Sequence, residues 1–374
     1  MSKRTSPSPP ASPPVGAPVF RATADGSAHF ASRFPALAPG FYRNATFGVS
    51  MSSIGIGTYL GDNTDADDAA YAAAIRKAVI SGINVIDTAI NYRAQRSERA
   101  VGAAIHALLA SGGATREQLV ISSKAGYIPL DRTTPASRED YRAYVEREFI
   151  NQQILRPDEI VGGGHSLAPR FLRYCLAKSR QNLGLRTIDI YYVHNPGQSP
   201  GAISAQDLRA RLRAAFAMLE EAAERGEINV YGCATWDELR VGADARGHLE
   251  LEMLVQLAEE VAGANHRFKV VQLPINLAMP EAIRLATQSI KGRPVTALEA
   301  AVELGLTVVT SASLMQGQLT SGLPSALGDH FPLARTDAQR ALEFVRAVPG
   351  VTTALVGMKT EAHVDENIEA VVRR

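Results

Sequence analysis

The sequence predicts an α/β fold, a (β/α)8 TIM barrel with a long insertion after the third strand, on three observations. From about residue 49 onward, short β-branched runs alternate with longer Ala/Leu/Glu/Arg stretches of helical period. Eight such alternations are present, the number that closes a parallel sheet on itself. Strand candidates such as IDIYYVH and ALVGM are almost continuously apolar, as suits a parallel sheet covered by helices.

The strands are expected at 49–58, 84–89, 119–126, 188–195, 228–235, 269–276, 306–313 and 351–358. Helices are expected at 68–82, 97–109, 168–183, 205–225, 249–261, 296–304, 337–348 and 360–372, with Gly82, Gly184, Gly226 and Gly305 as stop signals. Residues 1–18 are dominated by Ser, Pro and Ala, too little apolar surface to offset ordering, and read as a disordered leader. Residues 19–374 read as one barrel domain. Its insertion, 127–165, falls on the face where barrels place their active sites, and its mix of aromatics and charges suits either a substrate pocket or a subunit contact.

Composition narrows the function. The 374 residues are 46% hydrophobic and 21% charged, and 39 Lys+Arg against 38 Asp+Glu leave a formal charge of +1. Such a balance supplies no field to attract nucleic acid or an anionic membrane, so neither is expected as a partner. Cys175 and Cys233 lie far apart in apolar stretches and read as reduced, buried thiols. The eight histidines form no HxxxH, HxH or Cys/His cluster, and no metal is expected. No run reaches the roughly 18 apolar residues of a membrane span, and the N-terminus lacks an export-type apolar core, so the expected location is the cytoplasm.

The chemistry gathers at strand ends. Asp87 ends the second strand in NVIDTAINY, Lys124 the third in VISSKAG and His194 the fourth in IDIYYVHNP, while Tyr92 follows Asp87 in the next loop. A barrel brings such positions together at its C-terminal mouth. Singly, each has a plainer reading: a loop aromatic, a turn carboxylate, a surface cation, a core histidine. Jointly they form a set of groups suited to proton transfer.

GIGTYLGD, GINVIDTAINYRAQRSERAVGAAI and VPGVTTALVGMKTEAHVDENI, in that order, make the chain resemble the aldo-keto reductase superfamily, and GHS-x-x-P and HNP make it similar to the branch containing sugar and aldose dehydrogenases. The resemblance implies an NAD(P)-dependent oxidoreductase acting on a small-molecule carbonyl or alcohol, with an aldose among the candidates. It makes Tyr92 the general acid, Lys124 the charge that favours its phenolate, Asp87 the partner of Lys124, and His194 the group that orients the carbonyl. It places Gly357, Lys359, Thr360, His363, Glu366 and Asn367 at the adenosine end of the cofactor. The charge of Lys359 opposite a 2′-phosphate favours NADP(H) over NAD(H), although His363 stands where many relatives carry Arg or Gln.

By the same resemblance Gln272 and Thr235 meet the nicotinamide carboxamide, and Leu314, Gln316 and Gly317 form the pyrophosphate loop. Two positions depart from the family pattern: Ala234 has no side chain to bond the amide, and Ser311 replaces a tyrosine that stacks on nicotinamide. These departures leave open a cofactor-binding regulatory or scaffold subunit with little turnover. A barrel lyase or isomerase that binds a substrate phosphate at the last βα unit is a further alternative. Assembly as a homo-oligomer is compatible with the sequence.

Overall fold

A computed structural model describes residues 19–197 and 203–372. The leader expected at 1–18 lies outside the described residues. The described chain begins with helix α1 (Ala24–Ser32) and an antiparallel hairpin of β1 (Tyr42–Asn44) and β2 (Ser50–Ser52). Six parallel strands follow: β3 (Ile54–Gly57), β4 (Val85–Asp87), β5 (Val120–Ala125), β6 (Ile188–His194), β7 (Ile228–Ala234) and β8 (Phe268–Pro274). A hairpin of β9 (Gln288–Ile290) and β10 (Arg293–Val295) intervenes before β11 (Thr307–Ser311) and β12 (Val351–Gly357). The closed barrel runs β11-β12-β3-β4-β5-β6-β7-β8.

The connecting helices are α2 (Asp65–Ile80), α3 (Arg96–Ala110), α4 (Arg138–Val145), α5 (Pro169–Leu183), α6 (Ala205–Glu224) and α7 (Leu251–Ala262), then α8 (Glu281–Arg284), α9 (Ala297–Glu303), α10 (Leu327–His330), α11 (Asp337–Ala347) and α12 (Glu361–Glu369). All eight expected strands and helices are present, with shifted ends. The run 49–58 is not one strand, because the chain turns at Ser53, whose amide donates to Phe41 O at 2.6 Å. The part before the turn pairs with β1, and only the part after it enters the barrel. Helices α1, α4, α8 and α10 and the β9–β10 hairpin were not anticipated.

The period-2 alternation of the strands explains where the site lies. Val85, Val120, Ile190, Val230, Val270, Val309 and Leu355 form one apolar cluster with Ala45, Val49 and Met51 at the hairpin. Their neighbours along the strands, such as Ile86, Ile121, Tyr191, Tyr231 and Val271, belong to a second cluster with the helices. Two residues beyond the inner set stand Asp87, Ser122, Tyr192 and Gln272, and Lys124 and His194 lie two further on. The inward face therefore changes from apolar to polar toward the C-terminal ends. Gly232 permits close strand approach in this barrel: a Cβ there would lie 1.7 Å from Val270 O. Elsewhere in the framework Asp189, fully buried, accepts from Arg116 at 2.6 Å, Ala22 N at 2.6 Å and Ile121 N at 2.8 Å.

The insertion is tied at its neck by Ile128 N donating to Gly164 O at 2.8 Å. Its α4 runs into a single π turn at Glu146–Ile150, where Phe149 packs on Phe171 and Tyr174 of α5. Among the described residues, only Tyr127 of this segment lines the large cavity. The body of the insertion covers a helix and does not wall the pocket.

Candidate active site

The strand ends bring Asp87, Tyr92, Lys124 and His194 together, as their order in the chain implies. Lys124 is fully buried, is ion-paired with Asp87 and donates to Thr88 O at 2.9 Å. Asp87 also accepts from Ser122 at 2.6 Å and Gln272 Nε2 at 3.0 Å. The Lys124 ammonium sits 5.0 Å from the centre of the Tyr92 ring, and the Tyr92 and His194 ring centres are 5.9 Å apart.

Tyr92 is aimed by unusual backbone. Arg93, Ala94 and Gln95 follow it with φ of 48°, 51° and 67°, left-handed geometry that costs L-residues roughly 1–2 kcal/mol each. Arg93 holds that turn through Asp62 O at 2.8 Å and Asp68 at 2.7 Å, and Gln95 through Leu130 O at 2.9 Å. Burial and the Asp87 carboxylate push the Tyr92 phenol well above its ordinary value, so it is protonated at neutral pH. The direction differs from the lowering expected of Lys124, whose charge is engaged by Asp87. Burial, then Lys124 and His165, push His194 well below 6.5, leaving a neutral imidazole. Its buried Nδ1 has no partner among the described residues.

A cavity of about 880 Å³ opens over these groups and extends to α11 and α12. Thr235, Gln272, Leu314, Gln316, Gly317, Gly357, His363, Glu366 and Asn367 line it, together with Ala234 and Ser311. Thr235 Oγ1 donates to Gln272 O at 3.3 Å, so Gln272 and Thr235 both spend a donor on protein and keep an oxygen to accept from an amide. Ala312, Gln316 and Gly317 have φ of 53°, 54° and 89°, the kind of backbone that forms anion-binding concavities. Asn367 is buried, and its Oδ1 lacks a partner among the described residues. These features fit an elongated ligand with an amide at one end and phosphate in the middle.

Two residues expected at the cofactor are not among those lining the cavity. Lys359 does not line the cavity; its Nζ lies 3.2 Å from both carboxylate oxygens of Asp67. Thr360 caps α12, its Oγ1 accepting from His363 N. Other residues were not anticipated. Tyr59, Asn91, Tyr127, Asn195 and Trp236 line the cavity, and each lies within a few residues of an expected strand end, which is the signal that could have found them. His165 donates from Nε2 to His194 O at 2.7 Å, while Tyr127 stacks edge-on against both imidazoles.

The fold and site define a closed parallel barrel with a buried Lys–Asp pair, a tyrosine and a neutral histidine at its C-terminal mouth, opening into one large cleft. The chain belongs to the aldo/keto reductase family, whose model matches residues 53–258. It is 27% identical over 197 residues to an NADH-specific methylglyoxal reductase of Escherichia coli (strain K12), covering 51% of each chain. It is also 27% identical over 191 residues to a D-threo-aldose 1-dehydrogenase of a Pseudomonas species, covering 50% of this chain and 51% of that one. These matches span about half the length of either relative. In fold it is similar to an aldo/keto reductase from Klebsiella pneumoniae in complex with NADP and acetate, at TM-score 0.58 and 21% identity over 89% of this chain and 91% of that one. A holo aldo-keto reductase from Bacillus halodurans gives TM-score 0.56 and 16% identity, over 88% and 90%. Among the described residues no helix is long and apolar enough to cross a membrane.

Proposed function

We propose that the protein is a nicotinamide-dinucleotide-dependent oxidoreductase that interconverts a small carbonyl compound and its alcohol, with Tyr92 as proton donor and acceptor. One observation carries the reading: Tyr92 and His194 line the same cavity as Gln272 and Asn367, beside the buried Lys124–Asp87 pair. The cavity lining runs from the strand ends to α11 and α12, which separates the reacting groups from the part proposed to anchor a nucleotide. The bound dinucleotide would supply the hydride.

Tyr92 is protonated at rest and gives its proton to the carbonyl oxygen as negative charge develops there. His194, neutral, orients that oxygen by hydrogen bonding. As the phenolate forms, the ammonium of Lys124 stabilises it, and Asp87 keeps that ammonium charged and fixed. In the oxidative direction Tyr92 recovers the proton from the alcohol. The matched relatives are named for a 2-oxoaldehyde and for aldoses. Tyr59, Tyr127 and Trp236 offer aromatic walls, and Asn91 and Asn195 amide groups, suited to a short oxygenated chain of either kind.

The test is Tyr92→Phe, assayed with a panel of small aldehydes. Turnover is expected to fall by about 10²–10⁴-fold with dinucleotide binding retained. Near-normal turnover would remove Tyr92 from the proton path. Binding without turnover in the unaltered protein would favour the scaffold role.

A further inference from the structure

Resting on that reading, we propose that His165, the last residue of the insertion, is a positioning residue that fixes His194 and Tyr127 at the reacting end of the cavity by bonding the backbone carbonyl of His194. The body of the insertion covers a helix, but its end returns to the mouth of the barrel. Tyr127 and Val161 both form β-bridges with His165, and Ser166 N donates to Gly126 O at 2.8 Å, so the neck of the insertion closes beside the end of β5. His165 is buried there.

The two sides of the β6 strand end are held differently. On the β7 side Asn195 N donates to Ala234 O at 2.6 Å. On the other side β5 ends at Ala125, paired with Val193, and the chain bends at Gly126. A buried carbonyl needs a donor, and the His165 imidazole supplies one, its Nε2 lying 2.7 Å from His194 O. Because a carbonyl only accepts, the proton sits on Nε2; burial holds the ring below its ordinary pKa and keeps it neutral at pH 7. Gly126 leaves the space for this bond, since a Cβ there would lie 2.6 Å from both of its heavy atoms. Tyr127 packs edge-on against both imidazoles, 5.1 Å from the ring centre of His165 and 5.0 Å from that of His194. Its phenol oxygen accepts from Asn195 at 2.9 Å, and Asn195 holds a left-handed φ of 44°, which local preference alone does not keep. Tyr127, His194 and Asn195 line the cavity and His165 does not, so His165 acts through its neighbours. It fixes the backbone from which the His194 ring projects and the aromatic edge against which that ring rests.

The experiment compares His165→Met with His165→Gln in the full chain, two unbranched side chains of similar length of which only glutamine donates a hydrogen bond. Turnover is measured with small aldehydes, affinity for NADH and NADPH by calorimetry, and folding by urea denaturation. His165→Met is expected to lower kcat on the order of 10²-fold, the cost of misplacing a reacting group by about 1 Å, with dinucleotide affinity kept within about twofold. His165→Gln should recover most of that loss. If His165→Met fails to fold, Gly126→Ala, whose Cβ intrudes on the same hydrogen bond, should lower kcat with affinity likewise unchanged. Near-normal kcat in His165→Met, an equal loss in the Met and Gln variants, or a dinucleotide affinity that falls in step with kcat would overturn the proposal. No turnover by the unaltered, folded protein would instead overturn the oxidoreductase reading on which it stands.

Discussion

Replacing Lys124 by Met tests the buried ion pair at the base of the site. The ammonium is fully enclosed and meets Asp87 and Thr88 O. Its removal leaves the Asp87 carboxylate 4% exposed, with only the neutral donors Ser122 and Gln272. Breaking a buried pair from one side costs about 3–5 kcal/mol, and the two surviving donors place this case near the lower end. Set against a total stability of about 5–15 kcal/mol, the loss is large. Asp87→Asn in the same chain removes the orphaned charge, so the double variant should regain roughly 1–3 kcal/mol of that loss. Turnover should stay low in both, since neither has a cation beside Tyr92. Urea unfolding followed by circular dichroism measures the stabilities, and aldehyde reduction measures the turnover. If Lys124→Met unfolds within about 0.5 kcal/mol of the unaltered protein, or the double variant is no more stable than the single, the pair is not the buried, coupled unit described.

The remaining predictions concern other parts of the molecule. His194 is held neutral, so the unfolded chain takes up a proton that the native chain refuses; its contribution is full above the unfolded value of 6.5 and is lost as pH falls toward the depressed native value. His194→Asn should therefore flatten the fall in stability between about pH 7 and 5 by up to ~1.4 kcal/mol per pH unit, and identical pH slopes in the two proteins would contradict a neutral native imidazole. Asp189→Ala leaves Arg116 and two backbone amides without their acceptor and should cost about 3–5 kcal/mol in denaturant unfolding; a loss under 1 kcal/mol would show the site to be hydrated. Phe149→Ala should cost about 3–5 kcal/mol, yet leave dinucleotide affinity unchanged while the protein is folded; a weakened affinity would show that the insertion supports the cavity.

The order of elements was legible because a covered parallel strand and an amphipathic helix have different periods, and eight alternations leave few ways to bury their apolar faces. Asp87, Lys124 and His194 were legible for a related reason. Each lies on the inward parity of its strand beyond the apolar layer, so closing the barrel juxtaposes them wherever the helices pack. Tyr92 was placed by its distance from Asp87, but its aim depends on three left-handed residues that no local propensity favours. Arg93 and Gln95 hold that turn through partners 25 to 35 positions away, and such contacts have no sequence period.

Lys359 shows the limit most clearly. Its position after the last strand is a matter of sequence, and from that position alone a cation suits a phosphate. Asp67 lies 292 residues earlier in the chain, at the start of α2, and reaches Lys359 only because closure of the barrel pairs β12 with β3. The insertion behaves alike: its place after the third strand was readable, but whether it faced the cavity or a helix depended on Phe149 meeting α5. By itself the sequence determined the barrel and the residue types at its mouth, because periodicity and strand parity are local properties. The partner of each charge and the neutral state of His194 were decided by the tertiary structure, because burial and pairing energies depend on neighbours that only the closed fold supplies.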